Sequence, residues 1–382
     1  METKFITLRN LVRTFYALPV VLVIFSCSEQ KADSTASDPL PKKETNTTLD
    51  LKLNDFNPVS VYKVPQTRVD RARFPVIDLH SHPYAKSQEQ LKKWVQTMDE
   101  VGIDKTVILT YATGAEFDSL FQVYSQYQDR FILFCGFDYT GYNQPGFGPA
   151  AVAELERCVK IGARGVGELG DKGKGLFYCK PTPAYGMHID DPRMEPLIKK
   201  CGELGIPISI HVAEPIWMYL EMDSLNDGLM NAYEWRLDDQ PDILDHGEMI
   251  GTLENAVKKH SGTTFIACHY ANCSYDLNIL GNLFDRYPNL YADIGARYAE
   301  TAPIPRFVNK FFEHYQDRLV YGTDMGLNKS MYEVTFRILE SEDEHFYAHE
   351  LFSYHWPLHG YGLDAQVLEK VYRQNAIRIL GL

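Results

Sequence analysis

Short apolar runs alternate with longer amphipathic segments from Phe74 to the end of the chain. The short runs are rich in β-branched and aromatic residues, as is typical of strands buried on both faces of a sheet. Eight such runs follow one another: Pro75–His80, Lys105–Thr110, Phe131–Phe137, Ala163–Leu169, Ile206–His211, Thr263–His269, Asn289–Ile294 and Arg318–Thr323. The segments between them have helical periodicity, for example Ser87–Val101 and Ala150–Ile161. This alternation predicts parallel strands joined by crossover helices.

Eight strand–helix units in one uninterrupted series predict an α/β fold, namely a closed (β/α)₈ barrel. A doubly wound open sheet is the alternative, but no GxGxxG or Walker-type loop follows the first predicted strand. Two connections are unusually long, 214–249 after the fifth strand and 325–364 after the eighth. Such loops often build or cover a binding site, although packing between loop helices is an equal alternative.

The first 27 residues have the pattern of an export signal. Three basic residues precede an apolar run, Phe15–Phe25, which is too short to cross a hydrocarbon core of about 30 Å. The run ends in IFSC, which resembles the cleavage box of bacterial lipoproteins. Residues 1–27 are therefore predicted to be a lipoprotein signal peptide, with Cys27 as the lipid-modified N-terminus. An ordinary cleaved signal beside a free cysteine is the alternative.

Residues 28–57 are rich in Ser, Thr, Asp, Asn and Lys and lack a periodic apolar face, which predicts a disordered tether. The barrel is expected to span 58–382. The tether would hold it off a membrane in the bacterial cell envelope, facing the periplasm or lying on the outer surface.

Charge and cysteine usage restrict the function further. The formal net charge of −13 disfavours a nucleic-acid partner, because like charges repel. Six cysteines follow Cys27 without a CxxC pair, so buried thiols are expected rather than a zinc ribbon. The sequence leaves open whether the protein is a monomer or a homodimer.

Histidines and a carboxylate recur where the predicted strands end. His80 and His82 form an HxH pair at the end of the first strand, and strand alternation places both on one face. His211 ends the fifth strand, His269 ends the sixth, and Asp324 follows the eighth. A single strand-end histidine is more often structural, but the carboxyl ends of barrel strands meet at one rim. Imidazoles gathered there with a carboxylate suit Zn²⁺, with Mn²⁺ and Fe²⁺ as alternatives.

These segments resemble the amidohydrolase superfamily, in particular its amidohydrolase-2 (ACMSD-like) branch. The resemblance spans about 74–382 and rests on VIDLHSH, ISIHVAEP, FIACHYAN, LVYGTDMG and the closing VYRQNAIRILGL. It implies a TIM barrel of the metallo-dependent hydrolase type in which four residues bind the metal: His80, His82, His211 and Asp324. It also implies that Asp324 takes a proton from metal-bound water and that His269 ligates a second metal or polarises the substrate.

Glu168, at the end of the fourth strand in GVGELG, bears on the number of metal ions. Many two-metal relatives have a carboxylated lysine here, but the motif resembles the bridging glutamate of others. With Glu168 and His269 present, a binuclear site is one alternative. The other is a single ion, with Glu168 only forming hydrogen bonds.

Four further residues are predicted to contact a small-molecule substrate: Arg297, Lys172, Glu214 and Asn272. Arg297 follows the seventh strand and Lys172 lies in a glycine-rich loop after the fourth. Each could clamp a carboxylate or phosphate, although a solvated loop charge is the alternative. Glu214 and Asn272 each follow a ligand-like histidine by three residues and could orient it or bind substrate.

The leading hypothesis is hydrolysis of an amide, lactone or ester by a metal-activated water. The alternative within enzymes is metal-dependent non-oxidative decarboxylation, which the resembled branch also performs. A surface lipoprotein that only binds a ligand belongs to a different class. Loss of the metal ligands would mark it, yet this sequence retains the full candidate set.

Overall fold

The structure is a computed structural model that describes residues 50–177 and 182–382. The predicted signal peptide, its Cys27, most of the predicted tether and Cys179 lie outside the described residues. The last residues of the predicted tether are described, and they include a short 3₁₀ turn, Leu53–Asp55. Within the described residues, no helix has the length and apolar character needed to span a membrane.

Eight parallel strands form the core of the fold, and each overlaps one of the predicted strands. They are β1 (Val76–Ser81), β2 (Ile103–Leu109), β3 (Phe131–Phe134), β4 (Val166–Asp171), β7 (Ile208–Val212), β8 (Phe265–Ala267), β9 (Leu290–Asp293) and β10 (Leu319–Val320). Two further strands, β5 (Gly175–Leu176) and β6 (Ala184–Tyr185), pair antiparallel in the connection that follows β4.

Backbone hydrogen bonds close the eight strands into a ring. The strands pair in the order β1–β2–β3 in one sheet and β4–β7–β8–β9–β10 in the other. A parallel bridge between Cys135 and Val166 joins β3 to β4. The amide of Leu79 donates to the carbonyl of Tyr321 at 2.9 Å and so joins β1 to β10. The predicted closed (β/α)₈ barrel is confirmed, and a doubly wound sheet is excluded because it would keep two open edges.

Helices connect the strands, and the two named from the sequence are present at nearly the expected bounds. The longer helices are α1 (Gln88–Val101), α2 (Gly114–Tyr124), α3 (Pro149–Ile161), α4 (Glu195–Leu204), α6 (His246–Lys259), α7 (Leu277–Arg286), α9 (Pro305–Tyr315) and α10 (Lys329–Glu340). The shorter ones are α5 (Leu229–Ala232), α8 (Tyr298–Thr301), α11 (Ala365–Glu369) and α12 (Asn375–Leu380). Helix α1 begins after Ser87, whose hydroxyl accepts from the amide of Gln90, and ends at Gly102 in the left-handed conformation.

Apolar side chains from five strands meet in one buried cluster. Its strand members are Ile77, Leu79, Val107, Leu109, Ile132, Phe134, Ile266 and Val320. Helix α12 adds Ala376 and Leu380 to this cluster, so the end of the chain packs against the barrel. The buried Asn375 fixes the start of α12, because its Nδ2 donates to the carbonyls of Gln316 and Leu319 at 2.7 Å each. This contact gives a physical reason for the asparagine of the closing motif.

Replacement of Asn375 by alanine is expected to destabilise the barrel by about 2–3 kcal/mol, because two buried carbonyls lose their donor. The neighbouring Gln374 is exposed, so Gln374→Ala serves as the control and should change stability by less than about 0.5 kcal/mol. Urea unfolding followed by circular dichroism measures both. Equal midpoints for the two variants would contradict the proposed anchoring.

Candidate metal centre

Side chains from β1, β4 and the segment after β10 meet at one rim of the barrel. The Nε2 atoms of His80 and His82 lie 3.3 Å and 2.9 Å from Oδ1 of Asp324. Glu168 completes this group, with Oε1 3.8 Å from Nε2 of His80 and Oε2 3.6 Å from Nε2 of His82. Three segments that are far apart in the sequence therefore place nitrogen and oxygen ligand atoms within a few ångströms of one another.

His269 reaches the same centre from a left-handed segment. The sequence predicted that the sixth barrel strand extends to His269, but β8 ends at Ala267 and this prediction is wrong. Residues 269–272 instead have φ values between 54° and 60°, a conformation that costs non-glycine residues about 1–2 kcal/mol each. The turn brings Nε2 of His269 to 3.3 Å from Oε1 of Glu168 and 3.7 Å from Oδ2 of Asp324.

His211 lies beside these residues and contacts Glu168. Its Nδ1 is 3.1 Å from Oε1 of Glu168, while its Nε2 is 2.9 Å from the carbonyl of Ala213 and 3.6 Å from Oε2 of Glu214. Among the described residues, three groups hold potential ligand atoms within 4.8 Å of one another. They are His80–His82–Asp324, His80–Glu168–His269 and His80–Cys268–Asp293, and His211 belongs to none of them.

Asp293 orients the ligand-like histidines, and the sequence analysis did not single it out. Its Oδ2 lies 2.9 Å from Nδ1 of His80, and its Oδ1 accepts from the amides of His269 and Gly295 at 3.0 Å and 2.9 Å. Its signal in the sequence is a carboxylate in the apolar run LYADI, a residue type that is rarely buried without partners. The carboxylate fixes the imidazole of His80 so that Nε2 faces the centre.

The Nε2 atom of His80 provides a test of whether a cation fits here. His80 is fully buried, and its Nε2 has no hydrogen-bond partner among the described residues. When Nδ1 donates to Asp293, Nε2 either holds a second proton or presents a lone pair to the carboxylate oxygens of Asp324 and Glu168. Opposed lone pairs repel, so this arrangement favours a positive charge between these atoms, either a proton or a cation, and a divalent cation fits the donor set.

The electrostatics of the centre lead to the same conclusion. Burial disfavours the ionised form of Glu168, but positive charge on a protonated His80 and a hydrogen bond from His211 outweigh it and hold its pKa well below its usual range. Burial opposes ionisation of Asp324 too, yet neighbouring imidazoles, His80 foremost, hold its pKa well below the ordinary value. The centre therefore contains the buried carboxylate of Glu168 and the half-buried carboxylate of Asp324, and nearby positive charge keeps both ionised.

A cavity of about 650 Å³ opens above these residues. His82, Glu168, His269 and Asp324 line its floor. Both long connections supply walls: Met218, Asn231 and Trp235 come from 214–249, and Met325, Leu351, Phe352, Ser353 and Tyr354 come from 325–364. The alternative in which these connections only pack against each other is therefore not the arrangement in the structure.

Three of the four predicted substrate contacts line this cavity: Arg297, Lys172 and Glu214. They contact one another, since Lys172 forms an ion pair with Glu214 and Nη2 of Arg297 lies 3.7 Å from Oε2 of Glu214. Asn272 is fully buried and contacts protein groups. Its Oδ1 accepts from Nε and Nη2 of Arg297, and its Nδ2 donates to the carbonyl of Val212. In this structure Asn272 positions Arg297.

Two tyrosines near the centre were also missed by the sequence analysis. Tyr111 follows β2 with φ 56° and stacks on His82, and its hydroxyl is 2.6 Å from Nδ1 of that residue. Tyr84 donates to the backbone carbonyl of Asp324 at 2.8 Å. Tyrosines are common in barrel cores, so neither position carried a signal that distinguished it from packing.

Most of the chain matches a known protein family. A family model described as Amidohydrolase matches residues 77–382, which is most of the chain. The chain belongs to the amidohydrolase family. The expected amidohydrolase-2 branch is confirmed, and this amidohydrolase is therefore a member of a family of metal-dependent enzymes with a candidate metal site of His, Asp and Glu. No curated protein matches it.

Solved structures show the same fold at low sequence identity. The amidohydrolase is similar to an uncharacterized TIM-barrel protein from Bordetella bronchiseptica, with 17% identity and a TM-score of 0.54 over 81% of this chain and 99% of that one. A putative amidohydrolase from Staphylococcus aureus has 16% identity and a TM-score of 0.53 over 81% of this chain and 100% of that one. A 5-carboxyvanillate decarboxylase from Novosphingobium aromaticivorans was solved in complex with manganese and a nitrobenzoic acid. It has 15% identity and a TM-score of 0.50 over 83% of this chain and 100% of that one.

The role of Asp293 in this amidohydrolase can be tested through metal affinity. Asp293→Asn removes the negative charge that holds the Nδ1 proton of His80, and we expect metal affinity to fall about 10–100-fold. Chelator competition followed by elemental analysis measures this affinity. The exposed Asp364 provides the matched control, because Asp364→Asn leaves the centre untouched. Unchanged affinity in Asp293→Asn would refute the orienting role.

Proposed function

We propose that this protein is a metal-dependent hydrolase of a small-molecule amide, lactone or ester. One observation carries the proposal: the carboxylate of Asp324 lies beside Nε2 of both His80 and His82 on the floor of a cavity. The size of the cavity, about 650 Å³, suits a small molecule.

The residues of the centre have distinct roles under this proposal. A divalent cation held by His80, His82 and Asp324, with His211 as the fourth predicted ligand, would polarise a carbonyl oxygen and lower the pKa of water. Asp324 would accept the proton of the attacking water and pass it to the leaving group. Glu168 lies within 4 Å of both members of the HxH pair and would help to neutralise the charge of the cation.

His269 is expected to act as an acceptor. Its Nδ1 lies 2.8 Å from the carbonyl of Gly295 and donates to it, so Nε2 carries the lone pair. Burial lowers the pKa of His269 and favours this neutral form. His269 can therefore bind a cation or take up a proton, and it can donate to an oxyanion only after taking up that proton.

We propose Zn²⁺ as the metal, with Mn²⁺ or Fe²⁺ as alternatives, and a single ion. A second ion would use Glu168 as a bridge and His269 as a ligand. Glu168 supports that alternative, because its carboxylate lies within 4 Å of His80, His82, His211 and His269. Elemental analysis of the purified protein gives the ratio of metal to chain directly.

Non-oxidative decarboxylation is the second candidate function. Aromatic side chains and a cation share the cavity wall, namely Tyr111, Trp235, Phe352, Tyr354 and Arg297. This combination favours a flat carboxylic acid as the substrate, and the similarly folded decarboxylase from Novosphingobium was crystallised with such a ligand. In this reaction Asp324 would take a proton from a water molecule and pass it to the carbon that loses carbon dioxide.

Activity of two variants tests the centre. We expect Asp324→Asn to reduce kcat about 10²–10⁴-fold because it removes the proton acceptor. His82→Ala should abolish turnover by removing a ligand. The assay panel contains lactones, amides and aromatic carboxylates, with Zn²⁺ or Mn²⁺ added, and product analysis separates hydrolysis from release of carbon dioxide. His314 is exposed on α9, so His314→Ala is the control. Wild-type rates in both variants would exclude this site, and a wild-type protein inactive with every metal would favour a binding lipoprotein.

We also propose that the protein is exported and anchored by a lipid on Cys27. The basic N-terminus, the apolar run Phe15–Phe25 and the IFSC sequence support this proposal. Full-length protein made in a bacterial host should partition into the detergent phase of a phase-separation assay. Cys27→Ser should move it to the aqueous phase, while the tether control Ser34→Ala should not. Detergent partitioning that persists in Cys27→Ser would count against the anchor.

A further inference from the structure

The residues before β1 attach to the long connection 325–364 at Asp343. The backbone N–H and the hydroxyl of Thr67 donate to the two carboxylate oxygens of Asp343 at 2.7 Å each. Arg337 donates to the same carboxylate from Nε at 2.7 Å. Asp343 is buried, and the bonds from Thr67 and Arg337 outweigh burial and lower its pKa. The ionised carboxylate forms charge-assisted hydrogen bonds, which are stronger than neutral ones.

Further contacts follow along the same two segments in opposite chain directions. Ser60 hydrogen-bonds through its hydroxyl to Nδ1 of His345 at 3.1 Å, and the ring of Tyr62 packs edge-on against His345 at 4.6 Å. Nε2 of His349 donates to the backbone carbonyl of Pro58 at 2.9 Å. We call residues 58–67 the N-terminal strap, since their contacts run the length of residues 343–349.

The turn that follows, 349–354, forms a wall of the catalytic cavity and has open space on other sides. Phe352, Ser353 and Tyr354 line the 650 Å³ cavity and also a second cavity of about 300 Å³. Leu351 also lines a third cavity of about 490 Å³. Because space remains on several sides, packing alone does not fix the position of this turn.

Hydrogen bonds therefore hold the turn at both of its ends. At the far end, the hydroxyl of Tyr354 donates to Oε1 of Glu300 at 3.0 Å, and Nε1 of Trp356 donates to the carbonyl of Ala299 at 2.7 Å. At the near end, the strap provides the contacts of His345 and His349. None of the described residues of the strap lines the catalytic cavity, so any effect on substrate passes through the turn.

We propose that the N-terminal strap positions the turn 349–354 as a wall of the active site, with Ser60 and Thr67 as positioning residues. The strap sets how tightly the cavity encloses a substrate, whereas the metal centre on the barrel rim forms without it. This role concerns the wall and applies equally to hydrolysis and to decarboxylation.

Hydrogen exchange of the full-length chain, followed by mass spectrometry, tests the strap without a substrate. The double variant Ser60→Ala/Thr67→Val removes two hydroxyl donors and keeps the backbone. We expect amides in 349–354 to exchange about tenfold faster, as for the loss of a hydrogen bond to a charged group. Exchange in α1 should not change. Thr67→Ser in the Ser60→Ala background should restore most of the protection, because it returns the donor to Asp343.

Lys63→Ala is the matched control, because Lys63 lies in the strap and is exposed. Wild-type exchange at 349–354 in the double variant would overturn the proposal, and so would an equal acceleration in α1. Metal content should equal that of the wild type, and loss of metal would also overturn it. For a substrate found in the activity panel, KM should rise about tenfold with kcat within about twofold. A panel without any substrate would refute the proposed function and leave the exchange result to decide the strap.

Discussion

The buried carboxylate of Asp293 receives hydrogen bonds from three strand ends, and the arrangement of the metal centre depends on it. It accepts from Nδ1 of His80 and from the backbone amides of His269 and Gly295. The first bond selects the tautomer that turns Nε2 of His80 toward Asp324, and the second stabilises the left-handed turn that carries His269. A buried carboxylate without hydrogen-bond donors costs much free energy. The donors that Asp293 requires therefore fix the ends of β1, β8 and β9 relative to one another.

This arrangement places the negative charges of two carboxylates at the rim, and neutral imidazoles cannot balance them. Glu168 and Asp324 face Nε2 of His80, so either protons or a cation must occupy the space between them. Protons and a divalent cation compete for the same atoms, and metal binding is therefore expected to weaken as the pH falls. The fold prepares the centre for a cation, because Glu168 stands on β4 and the backbone N–H of Asp324 donates to the carbonyl of His80 on β1 at 2.8 Å.

The barrel and most of the rim could be predicted because both depend on local patterns. Apolar runs mark the eight strands, and the HxH pair and Asp324 stand where those strands end. Asp293 could not be singled out from the sequence, since its partners lie on other strands. The orientation of His211 toward Glu168 and Glu214 is equally non-local. The contacts of the N-terminal strap could not be predicted for the same reason, because Thr67 lies 276 residues from its partner Asp343.

The metal centre and the cavity walls come from different parts of the sequence. The residues expected to determine the reaction class therefore differ from those expected to determine the substrate. Strand ends supply the ligand atoms, while the two long connections supply most of the apolar wall. Arg297 lines the same cavity, and Oδ1 of Asn272 holds its guanidinium by accepting hydrogen bonds from Nε and Nη2. Arg297 and Asp324 line the same cavity, so a substrate carboxylate bound by Arg297 would limit which substrate atoms reach Asp324. Under the proposed function, whether Asp324 meets a carbonyl carbon or a carbon that loses carbon dioxide would then depend on the length of the substrate between Arg297 and Asp324.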